Sequence, residues 1–179
     1  MKKQSKILLA VLGVLAVGAV VFASTNSGLF QGKLMGGGNI NKAEFAKMVV
    51  ENAGLDIAPP CSVFSDVPED VWFNQYVCTL YNNGIVKGYV DGTFGPFGML
   101  IRAEAAKVVH EAFGLDYSCK LPKLFKDVDS NTWYYDFINQ LAAYDFFSED
   151  VQIGSKFRPS DMLTKAAAER WFSKSANLK

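Results

Sequence analysis

One histidine, His110, serves the whole 179-residue chain. A Ser–His or Cys–His catalytic couple would have only that base to use. No Gly-x-Ser-x-Gly run supplies a nucleophile elbow. His110 follows a helical pattern beside Glu111 and reads as a surface residue. Three cysteines and one histidine do not stand at zinc-ligand spacing. The acidic runs DVPEDVWF and DVDSNTWYYD lack the glycine and the closing glutamate of a calcium loop. A phosphate-cradling Gly-x-x-x-x-Gly-Lys run is also missing. Paired glycosidase carboxylates have no spacing that points to them. The chain therefore reads as non-enzymatic, with no cofactor and no metal. Charge of neither sign dominates: 18 basic and 18 acidic residues give zero formal net charge. No basic face is implied, so nucleic acid is not an expected partner.

What is present starts at the N-terminus. Lys2, Lys3 and Lys6 precede an uncharged apolar run, residues 7–23. Val21 and Ala23 would stand at −3 and −1 of a cut before Ser24, the pattern of a secretory signal. The rival reading is an uncleaved membrane anchor. Its 17 residues lie at the short edge of the roughly 20 needed to span a bilayer. Residues 24–39 are rich in Gly and Ser and read as a flexible tether. Export would permit disulfides. Cys61 could bridge to Cys78 or to Cys119, and Cys78 could equally be a buried free thiol.

The rest of the chain repeats itself. FSDVPEDVWFNQYV at 64–77 returns as FKDVDSNTWYYDFI at 125–138. Phe64, Asp66, Val67 and Trp72 recur as Phe125, Asp127, Val128 and Trp133, all 61 residues on. Each Trp opens an apolar pattern at i, i+1, i+4, i+5 and i+8, which predicts a helix with an aromatic core stripe. A loop rich in Gly follows at 83–96. Its later copy is two residues longer and has lost several glycines, so Phe94 and Pro96 match Phe157 and Pro159 at an offset of 63. A second helix then appears three times: INKAEFAKMVVENAGL at 40–55, LIRAEAAKVVHEAFGL at 100–115 and LTKAAAERWFSKSANL at 163–178. The organisation is a partial repeat (40–60), a complete repeat (61–119) and a divergent repeat (120–179). Units of about 50 residues bury too little core alone and must pack on one another. The prediction is one mainly α body with five principal helices.

Phe-x-Asp-Val…Trp, then GIVKGYVDGTFGP, then RAEAAK, resembles the surface-layer homology (SLH) domain. The resemblance covers about 140 residues, and the middle repeat carries nearly every signature position. It implies tandem helix-loop-helix repeats in a pseudo-trimeric, lobed body. It also implies a bacterial cell-envelope protein whose grooves bind cell-wall polysaccharide, often bearing a pyruvate ketal on an amino sugar. By this resemblance Arg102 would grip the ketal carboxylate with its planar fork. Lys42 and Lys165 hold that position in the other copies and should bind more weakly. The position lies in a first helical turn, where free N–H groups would favour an anion. Trp72, Gly88, Tyr89, Asp91 and Asp66 are further glycan candidates. Trp72 would offer an edge from a buried body, Asp66 a sugar acceptor or a local turn cap, and Asp91 a turn. The alternative is a protein-interaction or self-assembly module, in which a partner chain supplies the helix that the partial repeat lacks.

Overall fold

The computed structural model describes residues 38–115 and 121–173. The signal or anchor at 7–23, nearly all of the tether, and Cys119 lie outside them. Five helices form: α1 (Lys42–Ala53), α2 (Asn74–Asn82), α3 (Arg102–Ala112), α4 (Tyr135–Ala143) and α5 (Lys165–Phe172). The mainly α expectation holds, and no strand is present among the described residues. None of the described helices is long and apolar enough to cross a membrane.

Local chemistry sets the helix ends. Asn41 caps α1 through a reciprocal box: Glu44 N–H donates to Asn41 Oδ1 (2.8 Å), and Asn41 N–H donates to Glu44 Oε2. Thr164 caps α5 by accepting from Ala167 N–H. Ile101 has no acceptor to offer α3, although Glu104 Oε2 still accepts from Ile101 N–H. Gly54 closes α1 in the left-handed region, φ 68°, with its N–H on Val50 O.

The segments leading into α1, α3 and α5 close a ring. Asn41 bridges to Met99, Ile101 to Met162, and Thr164 back to Asn39. Each segment touches both others, and the central residues Ile40, Leu100 and Leu163 are buried at the junction. The first N–H of each helix is spent the same way: Lys42 N–H donates to Gly98 O, Arg102 N–H to Asp161 O and Lys165 N–H to Gly38 O. This threefold pattern is the physical form of the pseudo-trimer. Three second helices meet at their N-termini, and each satisfies its open N–H on a neighbour's loop.

The first helix of each complete copy then packs outward. α2 lies on α1, and α4 lies on α3. Buried positions track this packing. Ala43, Ala46 and Val50 of α1, and Ala103, Ala106 and His110 of α3, are buried. Their α5 counterparts Ala166, Glu169 and Ser173 are exposed. Glu169 and Ser173 are polar where, among the described residues, no first helix follows α5. His110 corrects the surface expectation: it is fully buried, with Nε2 2.7 Å from Gln140 Oε1 of α4.

The aromatic stripe also needs correction at its first position. Phe73, Tyr76, Val77 and Leu80 are buried, but Trp72 is 54 % exposed. α2 begins only at Asn74, so Trp72 lies before the helix and its body is not in the core. It packs edge-on against Phe73 (5.3 Å).

Cys61 and Cys78 are joined by a disulfide across 17 residues, linking the leading loop to α2. Buried Asn74 reinforces the link, donating to Cys61 O and accepting from Cys61 N–H. The third copy makes this connection without sulfur. Asn139 stands at the Cys78 position and accepts from Leu124 N–H (2.9 Å). Loop-closure entropy for a ring of this size is worth about 3 kcal/mol. Dithiothreitol should therefore lower the urea-unfolding free energy by about that much. A Cys61→Ser/Cys78→Ala double variant should match the reduced protein and be insensitive to reductant. An unshifted curve on reduction would show that Asn74 alone holds the loop.

Candidate functional site

A groove of about 520 Å³ opens where the three copies meet on one side of the ring. The partial copy supplies Lys42, Phe45 and Ala46 from α1. The complete copy supplies residues 84–89 and, from α3, Glu104, Lys107, Val108 and Glu111. The third copy supplies Trp133. Its lining is mixed, with an apolar floor, two exposed aromatic rings and three lysines against two glutamates. Such a surface can stack a sugar ring and hold an anionic substituent.

Lys42 is the central cation. It emerges from the first turn of α1, with its Nζ donating to Tyr89 Oη and lying 4.4 Å from the Tyr89 ring centroid. Tyr89 is held out by a tight turn. Its N–H donates to Thr93 O (2.8 Å), and Asp91 Oδ1 accepts from Thr93 N–H and Oγ1. Those Thr93 hydrogen bonds hold the Asp91 carboxyl below its ordinary value. Gly95 is left-handed beside this pair, and a Cβ there would stand 3.3 Å from the Tyr89 ring. Lys107 pairs loosely with Glu111 at 3.8 Å. Burial pushes the Glu111 carboxyl up, against the opposing charges of Lys107, His110 and Lys87.

The backbone N–H groups at the start of α1 are not open to a ligand, against expectation. Lys42 and Ala43 N–H donate to Gly98 O and Pro96 O, and Glu44 N–H donates to the Asn41 cap. An anion here must be met by side chains.

The S-layer homology domain model matches residues 63–106 and 124–169, half of the chain. The chain belongs to the S-layer homology domain family. It is 30 % identical over 153 residues to the cell surface glycoprotein 1 of Acetivibrio thermocellus, covering 75 % of this chain and 6 % of that protein. It is 24 % identical over 164 residues to the S-layer protein sap of Bacillus anthracis, covering 90 % of this chain and 20 % of that one. The cellulosome-anchoring protein of A. thermocellus is 28 % identical over 127 residues, covering 66 % and 28 %. The chain thus spans a small fraction of these relatives.

The three cations at the equivalent helix starts, two of them inside the SLH matches, meet different fates. Arg102 is only 8 % exposed. Its Nε donates to Phe157 O (2.8 Å), and its Nη2 lies 2.8 Å from Asp150 Oδ2, close as an ion pair though not aligned as a hydrogen bond. The expectation that Arg102 offers a free fork is therefore corrected, because the fork is spent inside the protein. Lys165 donates to Glu44 Oε1 at 2.6 Å. Lys42 alone of the three has no carboxylate partner among the described residues.

The remaining predicted site residues divide in the same way. Gly88, Tyr89 and Lys42 come together in the groove, while Trp72, Asp66, Asp91, Arg102 and Lys165 do not line it. Asp66 reaches across the loop and does not act as a local cap. Its Oδ1 and Oδ2 accept from Phe94 and Gly95 N–H (2.8 and 2.7 Å), pinning the far end of the loop. Asp127 does the same for Phe157 and Arg158. Gly88 packs its bare backbone on Phe64. The groove residues that sequence reasoning passed over are Trp133, Lys107 and Lys87. Trp133 was visible as the copy of Trp72, but its partnership with Lys42 is set by the ring.

Proposed function

We propose that the protein is a non-catalytic cell-envelope module that binds an anionic cell-wall polysaccharide through the Lys42 groove. The ligand class is an acidic sugar such as a pyruvylated amino sugar, and the role is anchoring at the bacterial surface. The observation that carries this reading is Lys42, a groove-facing cation with no carboxylate partner among the described residues. Tyr89 and the 56 % exposed Trp133 ring provide stacking faces around it. Lys107 and Lys87 add positive charge on the facing wall.

Ring geometry supports a single site of this kind. A groove needs a helix start, the next copy's loop, that copy's second helix and the following copy's Trp. Among the described residues the partial repeat supplies no loop and no Trp, and there only the Lys42 groove has all four contributors. By the repeat order Trp72 is the ring assigned to the Lys165 position, where no loop is supplied among the described residues. The Arg102 position lacks its Trp.

The test is co-sedimentation of the purified protein with bacterial wall sacculi, before and after chemical removal of the secondary polymer. Binding should vanish with the polymer. Lys42→Ala should weaken it by about 10-fold or more, the scale of one hydrogen bond to a charged group, with the thermal melt little changed. Equal binding to stripped walls, or full binding by Lys42→Ala, sinks the reading.

A further inference from the structure

The Arg102 position has the parts of the Lys42 groove in a closed arrangement. Arg102 and Arg170 stand where Lys42 and Lys107 stand in the open groove, at the repeat offsets of 60 and 63. Val86 and Val108, which line the open groove, are replaced by Phe147 and Trp171, whose rings lie 4.7 Å apart. The third copy's loop is also two residues longer. Asp145 matches Gly84, both left-handed, 61 residues apart. Ser155 matches Gly92, 63 apart, because Lys126 N–H donates to Ser155 O as Ser65 N–H does to Gly92 O. The extra residues lie between those points. The bulge they form is visible at 147–151, where Phe147 O accepts from both Asp150 and Val151 N–H (2.8 and 2.7 Å).

That bulge delivers a carboxylate. Asp150 Oδ2 accepts from Trp171 Nε1 (2.9 Å) and lies 2.8 Å from Arg102 Nη2, while Oδ1 accepts from Arg170 Nη2 (2.9 Å). The guanidinium of Arg102 lies 4.6 Å from the Phe157 ring and 5.2 Å from the Trp171 ring. Two arginines and an indole N–H, with the Phe157 and Trp171 rings against the Arg102 guanidinium, form a carboxylate receptor. The side chain of Asp150 is 7 % exposed within it.

We propose that Asp150 is a built-in ligand: the lengthened loop of the last repeat fills a carboxylate-binding site at Arg102 with the chain's own side chain. Removing that side chain opens a site for small carboxylates. The inference rests on the proposed function only where it treats the Lys42 groove as the open counterpart of this site. It converts a second binding groove into a structural joint and leaves one groove for polymer.

The experiment is a thermal melt of the full chain in sodium acetate against sodium chloride at equal ionic strength, near neutral pH. Asp150→Ala should melt lower than the parent in chloride. It should regain about 3–6 °C in acetate at ten times the dissociation constant, in a saturable curve. The parent and Asp150→Asn, which keeps the site filled, should show no acetate-specific shift. If Asp150→Ala does not fold in chloride, recovery on refolding in acetate is the same supporting result. No acetate response in either format overturns the inference. Lys42 is intact in these variants. Wall binding by the parent with no acetate response in Asp150→Ala therefore rejects this inference alone. An acetate response without wall binding by the parent rejects the polymer reading alone.

Discussion

Arg102→Met should lower the stability of the folded protein by about 3–5 kcal/mol, because it leaves the buried Asp150 carboxylate without its main counter-charge. The melting temperature should fall by about 10 °C. The size of the effect comes from burial, as both side chains of the pair are under 10 % exposed. A surface ion pair would be worth about 1 kcal/mol or less. Arg170, the second partner, is itself 44 % exposed and compensates only in part. Replacing both charges, as in Arg102→Met/Asp150→Leu, should recover much of the loss, since a well-packed apolar pair removes the desolvation cost along with the attraction. A double-mutant cycle in urea gives the coupling. Additive single effects would show that the two groups do not hold each other.

The same pair predicts a pH dependence. Burial alone would raise the Asp150 carboxyl, but the Trp171 hydrogen bond, the Arg102 charge and the Arg170 hydrogen bond outweigh it and hold it below its ordinary value. A carboxyl lowered on folding contributes stability that is fully present above its unfolded pKa, about 3.9. That contribution is lost as pH falls through the folded value. The acid limb of the stability curve below about pH 4 should therefore be shallower in Asp150→Asn than in the parent.

Gly88→Ala should be the other costly substitution, at about 2–5 kcal/mol. The backbone at Gly88 is left-handed, φ 72°, and an added Cβ would stand 2.2 Å from Phe64 Cε1 and 2.7 Å from Thr93 O. The Phe64 ring cannot swing away, because it is buried between Tyr81 and Phe94, with ring centroids 5.4 and 5.5 Å off. Thr93 O is fixed by its bond from Tyr89 N–H. The substitution should also displace Tyr89 and weaken wall binding beyond its effect on stability. Gly92→Ala is the control. Gly92 is equally left-handed, φ 81°, but no atom lies within 4 Å of its would-be Cβ. Only backbone strain remains there, about 1–2 kcal/mol. Equal losses at Gly88 and Gly92 in urea unfolding would show that the Phe64 contact is unimportant.

Particular residues show how much was legible in the chain. The capping box at Asn41 and Glu44, the glycine stop at Gly54 and the five helices are written in short-range patterns. The left-handed position shared by Gly84 and Asp145 appears as glycine in one copy and aspartate in the other, so its conservation of backbone form was not legible. Trp72 was placed in the core because its spacing continues the stripe, yet the helix starts two residues later. His110 looked like a surface residue, because its burial depends on α4, which lies some 30 residues further along the chain.

The candidate site was legible as a set of residue types, and its location was not. Lys42, Arg102 and Lys165 occupy one motif position, and chemistry alone ranks the arginine first. What separates them is the carboxylate each one meets: Asp150 for Arg102, Glu44 for Lys165 and none for Lys42 among the described residues. Each of those meetings joins different copies or distant parts of one. The sequence by itself determined the repeat, its helices and its family, since these rest on spacings of a few residues and on signatures read in order. Tertiary structure alone decided which cation faces a groove, because closing the ring of helix starts brings together residues 47 to 121 positions apart. Charge pairing acts over a few ångströms in space and carries no fixed spacing along the chain.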